Sequence, residues 1–286
     1  MKEIDKIMLA ITNGENQNAY VMRRPTDDET QEIYKIYCQL ATIIHDYAVG
    51  CQLYKNSCYS WAITVNYYSL MHCGRFICLI GIKKFPKSHK RLNEFLSGQQ
   101  KFENISLNGL FNILKKFTND TKLEIKIKTL GNKLKKIKEL REDNSYEFFI
   151  ISHQINHSVL KTEFPKVYNE IRKLNEESLK FVLELLVAYI NSLDYKDYFI
   201  GFLKDTDKNY PWAFSDLIHN LSIQNIDTSL IKDISDLIDE NLLNKLDDGI
   251  LLEDSFFNPI KYNSFTDKSE KMRNFMDRIK ALIGDS

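Results

Sequence analysis

The stretch from Trp61 to Ile82, WAITVNYYSLMHCGRFICLIGI, limits the fold of this chain more than any other part of the sequence. Read as a helix, it places apolar side chains on nearly every side of the cylinder, and such a helix lies inside a bundle. A run of this length also raises the question of a membrane span. Asn66, His72 and Arg75 interrupt it with polar groups, so we expect a buried helix of a soluble bundle and no membrane contact.

The composition favours an all-α fold. The 286 residues include only five prolines and ten glycines, fewer than the turns of a β-sandwich or a doubly wound sheet would need. The five cysteines form no CxxC pair, and this usage is typical of reduced thiols in the cytoplasm. The first residues, MKEIDKIMLAITNGENQN, carry acidic groups and no long apolar region, so we expect no signal peptide.

Capping residues and apolar periodicity predict where the helices begin and end. Thr26 is a predicted N-cap, Gly50 a predicted stop, Ser88 the predicted cap of a short helix from residue 89 to 96, and Pro165 the predicted start of a long helix. For residues 144–160 the sequence leaves a short helix and an irregular packed segment as alternatives. The remaining predicted helices cover residues 28–49, 57–81, 107–117, 122–143, 165–193, 226–246 and 268–283.

Charge is distributed unevenly along a chain whose net charge is zero. From Lys115 to Arg141 there are ten cations and three acids, so 10 − 3 gives +7, and from Asp194 to Asp254 there are five lysines and fourteen acids, so 5 − 14 gives −9. The basic helix either meets phosphates, faces the acidic region, or is simply solvated. The lysines predicted to contact RNA are Lys126, Lys133, Lys135, Lys136 and Lys138.

The chain lacks the common nucleotide and hydrolase motifs. It contains no GxxxxGK[ST], GxGxxG or GxSxG sequence, which argues against nucleotide hydrolases, dinucleotide enzymes and serine hydrolases. His153 and His157 have the i, i+4 spacing of two metal ligands, but Gln154 stands where a metalloprotease has its glutamate, and no cysteine or acid obviously completes a site. We therefore predict no metal and no cofactor.

Two parts of the sequence carry a family resemblance. The order Tyr67, Tyr68, Ser69, Leu70, Met71, His72, followed by Arg75 and by the connector PKSHK, resembles the second helix of the HEPN domain family and its downstream connector. The basic helix ending in ELREDNSYE is similar to the later part of that domain. The resemblance covers roughly residues 28–193. It implies an all-α, HEPN-like helical bundle over 28–193, preceded by an arm or short helix over 1–27 and followed by an acidic, mostly helical C-terminal region over 194–286.

The resemblance also implies a function. HEPN proteins are often dimeric, and many are metal-independent ribonucleases of toxin–antitoxin and antiphage systems that share an Arg-x4-6-His motif. Arg141 occupies the place of the arginine, Tyr146 and Glu147 stand where the histidine is expected, and the next histidines are His153 and His157. The implied catalytic residues are Arg141, His153 and His157, with the arginine on the phosphate and a histidine in proton transfer.

Three hypotheses follow from the sequence. The first is a HEPN-like component of a prokaryotic antiphage or toxin–antitoxin system that binds RNA, with metal-independent cleavage of that RNA left open. The second is a non-catalytic helical adaptor that assembles with itself or with partner proteins of a defence complex. The third is a small-molecule or nucleotide site, in a pocket formed by Tyr67, Tyr68, His72, Arg75 and Tyr146. For all three we expect a cytoplasmic protein.

Overall fold

The computed structural model describes residues 25–146, 157–203 and 213–246. These residues form nine α-helices and no strand, which confirms the predicted all-α class. A 3₁₀ turn, Leu243–Lys245, follows the last helix. The helices are α1 (Asp27–Lys55), α2 (Tyr59–Ile82), α3 (His89–Leu96), α4 (Leu107–Leu114), α5 (Leu123–Tyr146), α6 (His157–Asn191), α7 (Lys196–Leu203), α8 (Ala213–Ile223) and α9 (Thr228–Asn241).

Helix α2 is the centre of the bundle, as its sequence predicts. It packs against α1, α6 and α5, and more lightly against α3 and α4. Most of its side chains are buried, among them Tyr67, Phe76 and Ile77. Trp61 differs from the expectation, since its ring is 66% exposed although the next residue, Ala62, is fully buried. None of the described helices is both long and apolar enough to cross a bilayer.

Two of the predicted helix starts are confirmed by their caps. The Thr26 hydroxyl accepts a hydrogen bond from the Glu29 amide, and the Glu29 carboxylate accepts one from the Thr26 amide, which completes a capping box. The Ser88 hydroxyl likewise accepts from the amide of Arg91 and starts α3 at His89. The cap at Ser88 therefore fixes where the basic connector ends and where His89 projects.

The predicted helix stop at Gly50 is wrong. Helix α1 continues through Gly50 to Lys55, and Gly50 is buried where α1 crosses α2. A Cβ atom at this position would lie 2.1 Å from Nδ2 of Asn66, far inside contact distance. The glycine is therefore needed for the close approach of two helices and does not end one of them.

The predicted start of the long helix at Pro165 is also wrong. Helix α6 begins at His157, so Pro165 lies inside it. A proline inside a helix removes one backbone hydrogen bond, but its fixed φ is close to the helical value. Beyond Pro165 the helix is held by buried apolar side chains facing α2 and α1, including Ile171, Val182 and Ile190.

The described part of the acidic C-terminal region packs on the bundle. Helices α8 and α9 contact α1, and α9 also contacts α6. Leu230, Ile234 and Ile238 of α9 belong to the same hydrophobic core as the side chains of α1 and α2. The division of the chain at residue 193 stays a prediction. Of the predicted arm over 1–27, residues 1–24 lie outside the described residues, and so does the predicted helix over 268–283.

Candidate functional site

Arg141 continues the buried stripe of α5. Ile127, Leu134 and Ile137 face the core at helical spacing, and Arg141 follows four residues after Ile137. The side chain of Arg141 is only 13% exposed. A guanidinium is rarely so buried without partners, so its surroundings determine what this end of the bundle can bind.

The guanidinium of Arg141 lies against two consecutive tyrosines of α2, Tyr67 and Tyr68, which we call the YY pair. Its Nη1 donates a hydrogen bond to the Tyr68 hydroxyl at 3.1 Å, and its Cζ lies 5.2 Å and 5.7 Å from the ring centroids of Tyr67 and Tyr68. The adjacent Glu142 carboxylate accepts from Nη2 at 3.3 Å. The buried Nε of Arg141 has no hydrogen-bond partner in the described part of the chain. This N–H group is therefore a buried donor that the described residues leave unsatisfied.

His89 completes the group. Its Nδ1 lies 3.0 Å from the hydroxyl oxygen of Tyr67, and its ring centroid lies 5.6 Å from the ring centroids of Tyr67 and Tyr68. Burial lowers the pKa of His89, and the positive charges of Arg75, Arg141 and Lys138 lower it further, against the opposing charge of Glu142. Its imidazole is therefore neutral at pH 7, the state in which one ring nitrogen accepts a proton.

The two tyrosines differ in their roles. Burial raises the pKa of Tyr67 to about 12 despite the nearby charge of Arg141, so this phenol stays protonated at neutral pH. Tyr67 is fully buried and touches His89, whereas Tyr68 is half-buried and touches Arg141. The ring centroids of Tyr67 and Tyr68 are 5.6 Å apart in an edge-on arrangement. The YY pair thus connects the arginine of α5 to the histidine of α3.

Arg75 supports the connector between α2 and α3. Its Nη2 donates to the backbone carbonyl of Lys87 at 2.7 Å, and its Cζ lies 5.4 Å from the ring centroid of Phe85. Like Arg141, it has a buried Nε without a hydrogen-bond partner among the described residues. Arg75 therefore positions the segment that leads into His89.

His72 faces α1 and not the arginine site. The side-chain amide of Gln39 donates to His72 Nδ1 at 2.6 Å, and His72 Nε2 lies 3.9 Å from an oxygen of Asp46. Burial lowers the pKa of His72 to about 4, more than the charge of Asp46 raises it. Of the five residues predicted to form a pocket, the structure therefore brings together Tyr67, Tyr68 and the neighbouring Arg75.

The five lysines predicted to contact RNA lie on different sides of α5. Lys126 lies 2.9 Å from Asp120 and 3.4 Å from Glu184, and Lys138 lies 3.0 Å from Glu142. At 100° per residue, Lys126 and Lys138 flank opposite edges of the buried stripe. Lys138 is on the edge next to Arg141. The other three side chains are exposed: Lys133, Lys135 and Lys136.

The predicted catalytic histidines are outside the described side chains. His153 lies beyond the described residues, and only the backbone of His157 is described, as the first residue of α6. The side chain of Tyr146, the last residue of α5, is not described either. Within the described ranges, no group of three or more His, Cys, Asp and Glu residues could hold a metal ion.

Sequence reasoning missed His89 as a site residue. His89 is part of the PKSHK connector that carries the family resemblance. The Arg-x4-6-His motif, however, implies a histidine only downstream of Arg141. The close packing of α3 on α5 is what brings His89 and Arg141 to the same tyrosines. The only signal in the sequence was a histidine directly after a capping serine.

The described structure defines an all-α protein with a half-buried arginine, histidine and tyrosine site at one end of α5. Comparison with protein-family models, with curated proteins and with solved structures gave no match to this chain. The chemistry of the site therefore has to be argued from its own geometry.

Proposed function

We propose that this protein is a HEPN-like component of a prokaryotic antiphage or toxin–antitoxin system that binds RNA and cleaves it without metal. The observation that carries the proposal is the placement of Arg141 and the neutral His89 on the same pair of tyrosines. A fixed cation beside a neutral imidazole is what transfer of a phosphoryl group to a neighbouring hydroxyl requires.

In the proposed reaction Arg141 binds the phosphate. The remaining N–H groups of its Nη atoms donate to the non-bridging oxygens, whose charge grows as the 2′-oxygen attacks phosphorus. The bond from the 2′-oxygen to phosphorus forms, and the bond from phosphorus to the 5′-oxygen breaks. The products are a 2′,3′-cyclic phosphate and a free 5′-hydroxyl.

His89 carries the proton in this scheme. If its Nδ1–H donates to the Tyr67 oxygen, Nε2 is left as the base that takes the proton of the 2′-hydroxyl. The departing 5′-oxygen then receives a proton from the imidazolium. In this scheme the Tyr67 oxygen accepts the hydrogen bond from His89, and the phenol itself stays neutral, with a pKa of about 12.

The test is incubation of the purified chain with labelled single-stranded RNA in the presence of a chelator. We expect cleavage that leaves 2′,3′-cyclic phosphate ends, and losses of about 10²–10⁴-fold in rate for Arg141→Ala and for His89→Asn. Matched controls are Arg172→Ala and His219→Asn, which change an arginine and a histidine outside the site. RNA that stays intact, or equal losses in the controls, would contradict the proposal.

One observation favours the adaptor as a second candidate. Trp61 is 66% exposed in the first turn of α2, and tryptophan is enriched at protein–protein interfaces relative to the rest of the surface. In that case the protein forms a defined oligomer without RNA. Analytical ultracentrifugation of the wild type and Trp61→Ser would show a smaller species for the variant if this ring lies in an interface.

A further inference from the structure

A second site lies on the other side of the basic connector. Helix α1, the end of α2, the connector over residues 83–88 and the first turn of α3 enclose a groove of about 840 Å³. Phe102 and Glu103, from the loop after α3, close one end of it. The volume falls in the range of pockets that bind small molecules, roughly 300–1,000 Å³. The groove does not include Arg141, Tyr68 or His89.

The lining of the groove is strongly cationic. Five lining residues are cationic and one is acidic. Two of the cations are neutralised, since Lys83 pairs with Glu32 and Lys84 lies 3.1 Å from Glu103. The other three form no ion pair with the described residues, and their side chains are exposed at the groove: Lys35, Lys87 and Arg91. The net charge that remains suits a phosphate group.

Aromatic side chains occupy the rest of the wall. Tyr34, Phe85 and Phe102 line the groove together with the amide of Gln39. Phe85 is held from the α2 side by Arg75, and Phe102 packs near the ring of Phe95 with centroids 5.9 Å apart. Rings fixed in this way offer flat surfaces to a planar ligand.

The backbone of the connector contributes to the same site. Lys83 has left-handed φ of 59°, which turns the chain sharply at the end of α2 and brings the connector back over α1. Ser88, the cap of α3, is also part of the lining. The first turn of α3, with its positive helix end, therefore adjoins the unpaired cations.

We propose that this groove binds a nucleoside phosphate, with the base against the aromatic side chains and the phosphate between Lys87, Arg91 and Lys35. The side-chain oxygen of Gln39 supplies an acceptor for an edge of the base, since its NH₂ group already donates to His72. The proposal does not depend on RNA cleavage at Arg141. The ligand is either a free nucleotide or one nucleotide of an RNA strand, which share this chemistry.

The test is calorimetric titration of the full chain with the four nucleoside 5′-monophosphates, with the matching nucleosides and with inorganic phosphate. We expect at least one nucleotide to bind more tightly than its nucleoside and than phosphate. Lys87→Gln with Arg91→Gln should weaken that binding at least tenfold. Phe85→Leu should weaken it by about 5- to 150-fold through lost stacking. Urea unfolding curves would show that the variants remain folded.

The matched control is Lys90→Gln, because Lys90 lies on the same segment but outside the groove. Lys90→Gln should bind the nucleotide as the wild type does. Equal weakening in Lys90→Gln, or phosphate binding as tightly as any nucleotide, would overturn the proposal, and so would the absence of nucleotide binding. If an RNA hexamer displaces the nucleotide, the natural ligand is part of a strand, and if it does not, the ligand is free.

Discussion

Replacing Gly131 by alanine should loosen the contact that joins the two halves of the candidate site. Gly131 lies in α5, where the helix crosses the end of α3. A Cβ atom there would lie 2.6 Å from the carbonyl carbon of Leu96 and 2.8 Å from its oxygen. These are backbone atoms, so no side-chain rotation relieves the contact. The two helices would have to separate by about 1 Å to reach a normal carbon–carbon distance of roughly 3.5 Å.

The size of the effect follows from two opposing contributions. Overpacking in a rigid core costs about 1–3 kcal/mol. Alanine is favoured over glycine inside a helix by about 1 kcal/mol, which offsets part of that cost. We expect Gly131→Ala to lower the free energy of unfolding by up to about 2 kcal/mol. Because α3 starts with His89 and α5 carries Arg141, we also expect RNA cleavage to fall.

The assay is urea unfolding followed by circular dichroism, beside Gly109→Ala as the matched control. A Cβ atom at Gly109 in α4 would lie 3.1 Å from a side-chain methyl group of Ile105, which can move aside, and 3.6 Å from the Ser106 hydroxyl, an ordinary contact distance. This control should be as stable as the wild type or gain up to about 1 kcal/mol. If Gly131→Ala is as stable as Gly109→Ala, the close packing of α3 on α5 is refuted.

Three further predictions concern separate parts of the molecule. Burial lowers the pKa of His72 to about 4 from 6.5, so between these pH values the unfolded chain binds a proton that the folded chain does not. The free energy of unfolding should therefore fall by up to roughly 3 kcal/mol as the pH is lowered from 6.5 to 4. Urea unfolding of His72→Gln should show a smaller decrease over the same pH range. Asn175→Ala should cost about 1–3 kcal/mol in thermal unfolding, since the Asn175 amide donates to the Asn66 carbonyl and side-chain oxygens at 2.9 Å and 2.8 Å inside the core. Lys133→Gln should lower the salt dependence of single-stranded RNA binding by about 0.7 in log–log slope if that lysine contacts a phosphate, and an unchanged slope in a filter-binding series would contradict the contact.

The parts of the fold that were predictable from sequence depend on local signals. Helix α2 is apolar on nearly all sides, and outside a membrane a helix with this pattern lies in the middle of a bundle. The starts at Thr26 and Ser88 were predictable because a capping side chain bonds to an amide only three residues away. Each of these features is contained in a few consecutive residues.

The errors arose where distant residues decide the structure. Glycine usually ends a helix, but Gly50 is required by the side chain of Asn66 on another helix, and nothing near Gly50 in the chain shows this. The helix through Pro165 is similarly held by contacts with α2 and α1. Helix propensities predict how much a glycine or a proline destabilises a helix, but not the tertiary packing that offsets this loss of stability.

The candidate site was half predictable for the same reason. Arg141 and the YY pair were identified because they belong to contiguous motifs. His89 was missed as a partner because its approach to Arg141 depends on how α3 packs on α5. The groove that we propose to bind a nucleoside phosphate could not be predicted either, because it depends on the left-handed turn at Lys83 that folds the connector over α1.

The most direct test of the central claim is whether RNA reaches the site that Arg141 and His89 share. Protein labelled with ¹³C at histidine would be titrated with a single-stranded RNA carrying 2′-deoxy sugars at the cleavage positions, and the His89 signals would be assigned with His89→Asn. We predict that binding shifts these signals and raises the pKa of His89, because a phosphate anion beside Arg141 favours the imidazolium. The same RNA should leave the signals of His219 unchanged, and Arg141→Gln should abolish the effect. His89 signals that do not respond to bound RNA would contradict the claim.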